Sequence, residues 1–261
     1  MIITDHFVFL HLPKTGGTFV SESLHRAFKT RRTWLNSLTS LFRFGHRFQT
    51  IHGSFVHAHQ WHGTRQEIPQ NVRTLPILTC LRHPLARYVS IYEFGWWKRP
   101  EFLKGFQQGT SNFGQRYSDF PNLNFRDFLN LLHETRMPKG WREFSNPSSP
   151  GLHTWQSIRQ LTLNPDAWSQ QPHCDPNELQ QELRDIHFLR TSSLNRDLYH
   201  YLLSCKLPEE DLNFILTKKR VLPHGKGQPL TASWESYYDE ELRRLMESKD
   251  RFWIDLYESD K

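Results

Sequence analysis

The chain has 261 residues, 37% hydrophobic and 23% charged, a length and composition that suit one α/β domain with insertions, or at most two small ones, with a sizeable core. The formal charge of +6 suits an anionic ligand, but the cations are scattered and no nucleic-acid-binding motif is present, so a nucleic-acid partner is not expected. Cys80, Cys174 and Cys205 are odd in number and far apart, which fits neither a zinc site nor a disulfide framework. With no leader ahead of the first strand and no apolar stretch near the roughly 18 residues of a membrane span, the expectation is a cytoplasmic protein without a membrane segment.

In chain order, the apolar run Phe7-Val8-Phe9-Leu10 reads as a buried strand. It is followed by His11-Leu12-Pro13-Lys14-Thr15-Gly16-Gly17-Thr18, a tight two-glycine loop that feeds a helix with an apolar stripe at Val20, Leu24, Ala27 and Phe28. Free N–H groups at such a helix start, together with its dipole, favour an anion. Lys14 adds a full charge, and Thr15 and Thr18 add hydroxyls. The ATP-type loop carries its lysine after the last glycine, G-x-x-x-x-G-K-[ST]; here Lys14 precedes the glycine pair, so that pattern fails.

Residues 29–48 are basic and aromatic, and Phe48 to Gly53 reads as a strand ending at His52-Gly53-Ser54. A histidine-rich stretch follows, with His57, His59 and His62 around Trp61. Leu75 to Leu81 reads as a second buried strand, with Cys80 in the core, and ends at Arg82. Pro84 then starts a helix whose core face is Leu85, Tyr88, Val89, Tyr92 and Trp96. Arg82 at the carboxyl end of its strand and Ser90 about one and a half turns into the helix make a second anion site.

Residues 98–182 are rich in Pro, Ser, Asn and Gln and read as a long insertion over the ligand edge, with helices near 125–134 and 154–162 and no core of its own. Ile186 to Arg190 reads as a third strand, followed by Thr191-Ser192-Ser193 and a helix through Leu198, Tyr201 and Leu202. A basic loop at Leu222 to Pro229 precedes a C-terminal helix from about Ser233 to Glu247.

The two motifs together resemble those of sulfotransferases that use 3′-phosphoadenosine 5′-phosphosulfate (PAPS). The stretch His11 to Thr18 is similar to the family's 5′-phosphosulfate loop in its carbohydrate-type form, P-K-T-G-[GS]-T. Arg82-x-Pro84-x-x-Arg87-x-x-Ser90-x-Tyr92 is similar to its 3′-phosphate motif. The resemblance implies a single α/β domain over 1–261, a P-loop-like parallel sheet of about five strands flanked by helices, with 98–182 as an acceptor-side insertion. It implies that Lys14, Thr15, Gly16, Gly17 and Thr18 hold the 5′-phosphosulfate and that Arg82 and Ser90 hold the 3′-phosphate. Thr191 to Ser193 and the loop around Lys226 and Gly227 are further candidates near the nucleotide. PAPS is then the donor and 3′-phosphoadenosine 5′-phosphate (PAP) the product, with no metal. The acceptor is a hydroxyl, preferably of a glycan, with a peptide tyrosine or a small alcohol or phenol left open.

Such a transfer needs a base for the acceptor hydroxyl, worth roughly 10²–10⁴-fold, and histidine suits neutral pH. The family's histidine commonly follows a glycine after the second strand; here Ser54 follows Gly53. The candidates are therefore His59 first, then His57 and His52. Trp96-Trp97-Lys98-Arg99 suggests a cleft for sugar rings or an acidic chain. A P-loop kinase is disfavoured by Lys14 preceding the glycines and by Arg82 standing where a magnesium-binding carboxylate would be. A nucleotide- or glycan-binding protein without catalysis is the remaining alternative.

Overall fold

The computed structural model describes residues 1–31, 45–58, 60–170, 175–219 and 233–259, which fall into two compact units. The first comprises Met1–Arg82, Gln160–Leu163 and Gln181–Lys226, and it holds the sheet. Strand β1 (Ile2–Thr4) turns back into β2 (Val8–Leu10) as an antiparallel pair with Ile3 opposite Val8. Thr4 closes that turn: its Oγ1 accepts from the Phe7 N–H at 3.0 Å, and its own N–H donates to the Phe7 carbonyl at 3.0 Å.

Strands β3 (His46–Phe48), β4 (Phe55–His57), β5 (Ile77–Leu81) and β6 (Ile186–Arg190) complete a six-stranded sheet of order β3-β4-β1-β2-β5-β6. The α/β class stands as expected, but only β2, β5 and β6 form the parallel run; β1 is antiparallel to both β2 and β4, and β3 to β4. The strand expected over 48–53 is instead the end of β3 and a turn. Thr50 Oγ1 accepts from the His52 N–H at 3.1 Å, Gly53 takes φ 85°, and Asp5 accepts from the Ser54 N–H at 2.7 Å and from the Ser54 hydroxyl. Local polar closure outweighs strand propensity there.

Helix α1 (Gly17–Ala27) follows the two-glycine loop, and its stripe of Val20, Leu24, Ala27 and Phe28 is fully buried. It packs in one core with Phe7, Phe9, Phe55, Leu78, Leu189, Leu198 and Leu202. Burying each large apolar side chain of this kind contributes roughly 1.5–3 kcal/mol against chain entropy. Cys80 belongs to the same core, where burial pushes its thiol far up, so it is a packing residue.

The second unit comprises His83–Arg159, Asn164–Gln180 and Gly227–Lys261. Helix α2 (Pro84–Phe94) opens on Pro84 and buries Leu85, Tyr88 and Val89; Gly95 at φ 66° ends it, so Trp96 lies beyond the helix in a short turn. Trp97 is 0% exposed, donates from Nε1 to the Tyr92 carbonyl at 3.2 Å, and packs on Tyr92 and Phe128. It fills a core rather than offering a sugar platform. The helices expected near 125–134 and 154–162 are Phe125–Arg136, capped by Asn124 on the Asp127 N–H at 2.9 Å, and Leu152–Leu161. Phe128, Leu131 and Leu132 are buried, so part of 98–182 carries core residues.

The single C-terminal helix expected from Ser233 is a short turn, Trp234–Tyr237, and two helices, Glu240–Lys249 and Arg251–Glu258. Tyr238 is extended, and Asp239 restarts the chain by accepting from the Leu242 N–H at 2.8 Å. Among the described residues no helix is long and apolar enough to cross a membrane. The basic loop around Lys226 and Gly227, residues 32–44 and Cys174 lie outside the described residues.

Candidate functional site

The site forms where β2, β5 and β6 end together, the carboxyl edge of the parallel run. Ligands of open α/β sheets bind at such an edge because the loops there lead into helix N-termini. After β2 the chain turns through Lys14 at φ 64° and Gly16 at φ 97° before α1 begins at Gly17. A left-handed lysine is costly by about 1–3 kcal/mol, the kind of strain that gathers at ligand sites. Thr15 is fully buried and its hydroxyl donates to the Leu12 carbonyl at 2.8 Å. That side chain therefore braces the loop from inside and supplies no hydroxyl to a ligand. Thr18 is half-buried on the first turn of α1.

Both glycines are required by their neighbours. A Cβ on Gly17 would overlap the His11 ring, and one on Gly16 would come within 2.8 Å of Leu194 Cδ2 and 3.5 Å of Thr191 Cγ2. The loop after β2 therefore sits against the turn after β6. That turn is anchored by the Thr191 N–H donating to the Leu81 carbonyl at 2.9 Å. Ser193 is engaged with Asp197 at 2.8 Å.

Arg82 follows β5 and donates from Nη1 to the Lys14 carbonyl at 3.4 Å. Burial first, and then the Arg82 charge, press the Lys14 ammonium down from 10.5 to about 8. Two cations held this close raise each other's energy, and an anion between them lowers it. Ser90 lies half-buried on α2. Arg87, in the same motif, is not at the surface: it is 1% exposed and donates to His153 Nδ1 at 3.2 Å and Gln156 Oε1 at 2.6 Å.

Beneath the loop lies a layer the sequence did not single out. His11 is buried between Phe9, Trp61 and His62, with ring centroids 6.1, 5.2 and 4.9 Å away. Its carbonyl accepts from His62 Nδ1 at 2.9 Å and from Gln160 Nε2 at 2.9 Å. Burial first, then His62, hold its imidazole down to about 3, so it is neutral. The signal available in the sequence was a histidine directly after a strand and before a glycine that tolerates no side chain.

The three candidate bases have different surroundings. His52 Nε2 meets Asp211 Oδ2 at 2.7 Å, and Lys29 Nζ meets the other carboxylate oxygen at 2.6 Å. His57 ends β4 and stands 5.0 Å, centroid to centroid, from Trp61. It borders a cavity of about 450 Å³ whose walls include Ser21, Glu22 and His25 of α1, and Trp61. Burial first, then the Met1 amino group, His25 and His46, hold His57 down to about 4. His59 lies outside the described residues.

No curated protein and no solved structure matches the chain. Compared with protein families, residues 1–215 match the one described as the Sulfotransferase family. The matched stretch carries the strained loop after β2, Arg82 after β5 and the turn after β6. This chain therefore belongs to the sulfotransferase family, whose work is moving a sulfuryl group from a sulfate donor to a hydroxyl acceptor.

Proposed function

We propose that the protein transfers the sulfuryl group of PAPS to a hydroxyl of a carbohydrate acceptor, with His57 as general base. The observation that carries this reading is the Lys14–Arg82 pair, one cation on the strained loop after β2 and the other directly after β5, joined at the carboxyl edge of the two strands. The donor supplies a sulfuryl group already activated by its phosphate leaving group. Lys14 and the N–H groups of Thr15 to Thr18 bind the 5′ end and take up the charge that develops on the leaving oxygen. Arg82 serves the 3′-phosphate; the same role for Ser90 rests on the R-x-P-x-x-R-x-x-S spacing alone.

His57 is neutral at physiological pH and borders a cavity beside α1, so it can accept the proton of an acceptor hydroxyl placed there. The preference for a carbohydrate rests on the P-K-T-G-G-T form of the loop and on Trp61, an indole 42% exposed at that cavity, a side-chain type suited to packing on a sugar ring. A kinase reading has less support, because the loop places its lysine ahead of the glycines.

The test is transfer of radiolabelled sulfate from PAPS to a panel of glycans, tyrosine peptides and phenols, with Lys14→Ala and His57→Ala alongside. Labelled glycan with the wild type, and none with either variant, supports the reading. Labelling of tyrosine peptides or phenols alone would overturn the acceptor class. Tight PAP binding without turnover on any acceptor would make the chain a binding protein. A fully active His57→Ala together with an inactive His59→Ala moves the base to His59.

A further inference from the structure

One side chain in the layer beneath the loop after β2 reaches two loops at once. Gln160, near the end of the helix Leu152–Leu161, is 5% exposed. Its Nε2 donates to the His11 carbonyl at 2.9 Å and to the Gly63 carbonyl at 3.1 Å. A carbonyl oxygen only accepts, so both contacts require the nitrogen end of the amide, and that nitrogen has two protons, one for each. The direction of the amide is therefore dictated by its partners. His11 opens the loop that carries Lys14, whereas Gly63 lies just after Trp61 on the stretch that leaves β4 at His57.

Two more contacts join the same loops. His62 Nδ1 donates to the His11 carbonyl at 2.9 Å, and the His11 and Trp61 ring centroids are 5.2 Å apart. His11 also underlies the first residue of α1, since a Cβ on Gly17 would overlap its ring. The segment that bears Gln160 is held in turn: Arg65 donates to the Leu161 carbonyl at 3.4 Å and to the Glu182 carbonyl at 2.8 Å, and Gln66 Nε2 donates to the Leu163 carbonyl at 2.8 Å.

We propose that Gln160 is a positioning residue that couples the two sides of the candidate site, setting the cradle of Lys14 to Thr18 against the stretch that bears His57 and Trp61. The inference rests on the reading of the first as the donor side and the second as the acceptor side. Gln160 acts only through the His11 and Gly63 carbonyls. In-line transfer needs the reacting atoms about 3–3.5 Å apart, and a misplacement of about 1 Å can cost about 10²-fold. A strut shared by both loops fixes that separation. It also makes the loops respond together, because opening either one breaks a bond of the same amide.

Hydrogen–deuterium exchange of the full chain, read by mass spectrometry with and without PAP, tests the coupling. In the wild type PAP should slow exchange at residues 11–18 and, by about 5-fold or more, at 60–63 as well, the low end of coupling between sites. Gln160→Glu keeps the length and shape of the side chain. Ionised it has no proton to give, and protonated it has one, so in neither form can it hold both carbonyls. In this variant PAP should still protect 11–18, and the protection at 60–63 should shrink several-fold. Sulfate transfer should lose about 10- to 100-fold in kcat, with donor KM changed far less.

Wild-type protection confined to 11–18, an undiminished effect at 60–63 in Gln160→Glu, or full kcat in that variant overturns the coupling. If Gln160→Glu does not fold, Gln160→Met, which has no charge to bury, carries the same measurements. The ligand-free spectra decide independently of the donor. Either variant should exchange faster at 11–18 and 60–63 together, with the helix Phe125–Arg136 unchanged as the control against global loosening. Acceleration at one loop alone, or everywhere, overturns the strut. PAP that protects no part of the wild type would instead sink the donor reading and leave the strut to that ligand-free comparison.

Discussion

The guanidinium of Arg82 reaches the carbonyl oxygen of Lys14 at 3.4 Å, so one cation holds the backbone from which the other projects. The two positions are 68 residues apart in sequence and meet because β2 and β5 run parallel and in register, Leu10 beside Thr79. Losing Arg82 should therefore do two things at once: remove a charge and release the loop. Arg82→Ala should lower kcat/KM for the donor by about 10²–10³-fold, comparable to deleting a preorganised oxyanion donor. Arg82→Lys should recover little, because a lysine cannot fork between a carbonyl and a phosphate. Lys14→Ala should lower kcat as strongly while leaving Arg82 and the fold in place. Donor KM and kcat for the three variants, with circular dichroism as the folding control, distinguish these effects.

The role proposed for Lys14 also predicts an alkaline limit to binding. Its folded pKa is lowered to about 8, by burial first and Arg82 second, so the ammonium is charged below that value and neutral above it. A bound dianion favours the charged form and pulls the value back up. PAP affinity should hence be flat below pH 7 and weaken as pH rises through about 8 and beyond, approaching a tenfold loss per pH unit. Calorimetric titration with PAP between pH 6.5 and 9.5 measures it. An affinity constant across that range would show that Lys14 does not meet the anion.

The motifs were legible because each is local. A strand, a proline, two glycines and a helix stripe lie within consecutive residues, and Pro84 marks the next helix start just as plainly. What was not legible depends on partners distant in sequence. β1, β3 and β4 are three residues each, too short for a period, and they exist through pairings such as Ile2 with His57 and Arg47 with Val56. The fate of Trp97 was likewise hidden, since Phe128, which buries it, comes from a helix far along the chain. At the candidate site, Lys14 and Arg82 were readable from spacing. The inward turn of the Thr15 hydroxyl and the His25–His57 contact were not, because both are set by tertiary packing.

Gly17 and His11 are coupled through space. With a Cβ overlapping the buried imidazole, Gly17→Ala forces the ring or the start of α1 to move, an overpacking cost of about 1–3 kcal/mol. The same change should weaken PAP binding, since the proposed cradle includes the helix start. In a His11→Ala background the overlap is gone and Gly17→Ala should cost much less. A double-mutant cycle by urea denaturation gives the coupling directly, and strict additivity would contradict the contact.

A buried node holds the second unit together. Asp250 is fully buried; it accepts from Tyr88 Oη at 2.6 Å, from the Thr154 N–H at 2.9 Å and from Thr154 Oγ1 at 2.6 Å. Gly151 lies so close that a Cβ there would overlap the carboxylate. Asp250→Ala leaves two hydroxyls and an amide without their acceptor and should destabilise by about 3–5 kcal/mol. Tyr88→Phe removes one of the donors and should cost about 1–2 kcal/mol. Urea unfolding of the two variants should show that order; a milder effect for Asp250→Ala than for Tyr88→Phe would mean the carboxylate is dispensable.

Acid should unfold the protein through histidines that fold neutral. Burial is the first cause for both His11, held down to about 3, and His133, held down to about 4, against 6.5 when unfolded. His153, fully buried beside Arg87, shifts in the same direction. Below pH 6.5 the unfolded chain takes up protons at these sites that the folded chain refuses. Their contribution is therefore complete above pH 6.5 and is lost as the pH falls towards 4, by at most about 1.4 kcal/mol per histidine and pH unit. Urea midpoints at pH 7.5, 6.0, 5.0 and 4.5 should fall progressively, with the steepest loss below pH 6. His133→Gln keeps a donor within reach of the Pro150 carbonyl, which His133 Nε2 meets at 3.1 Å, and cannot titrate. Its midpoint should fall less steeply with acid than that of the wild type, and an unchanged slope would remove His133 from the set.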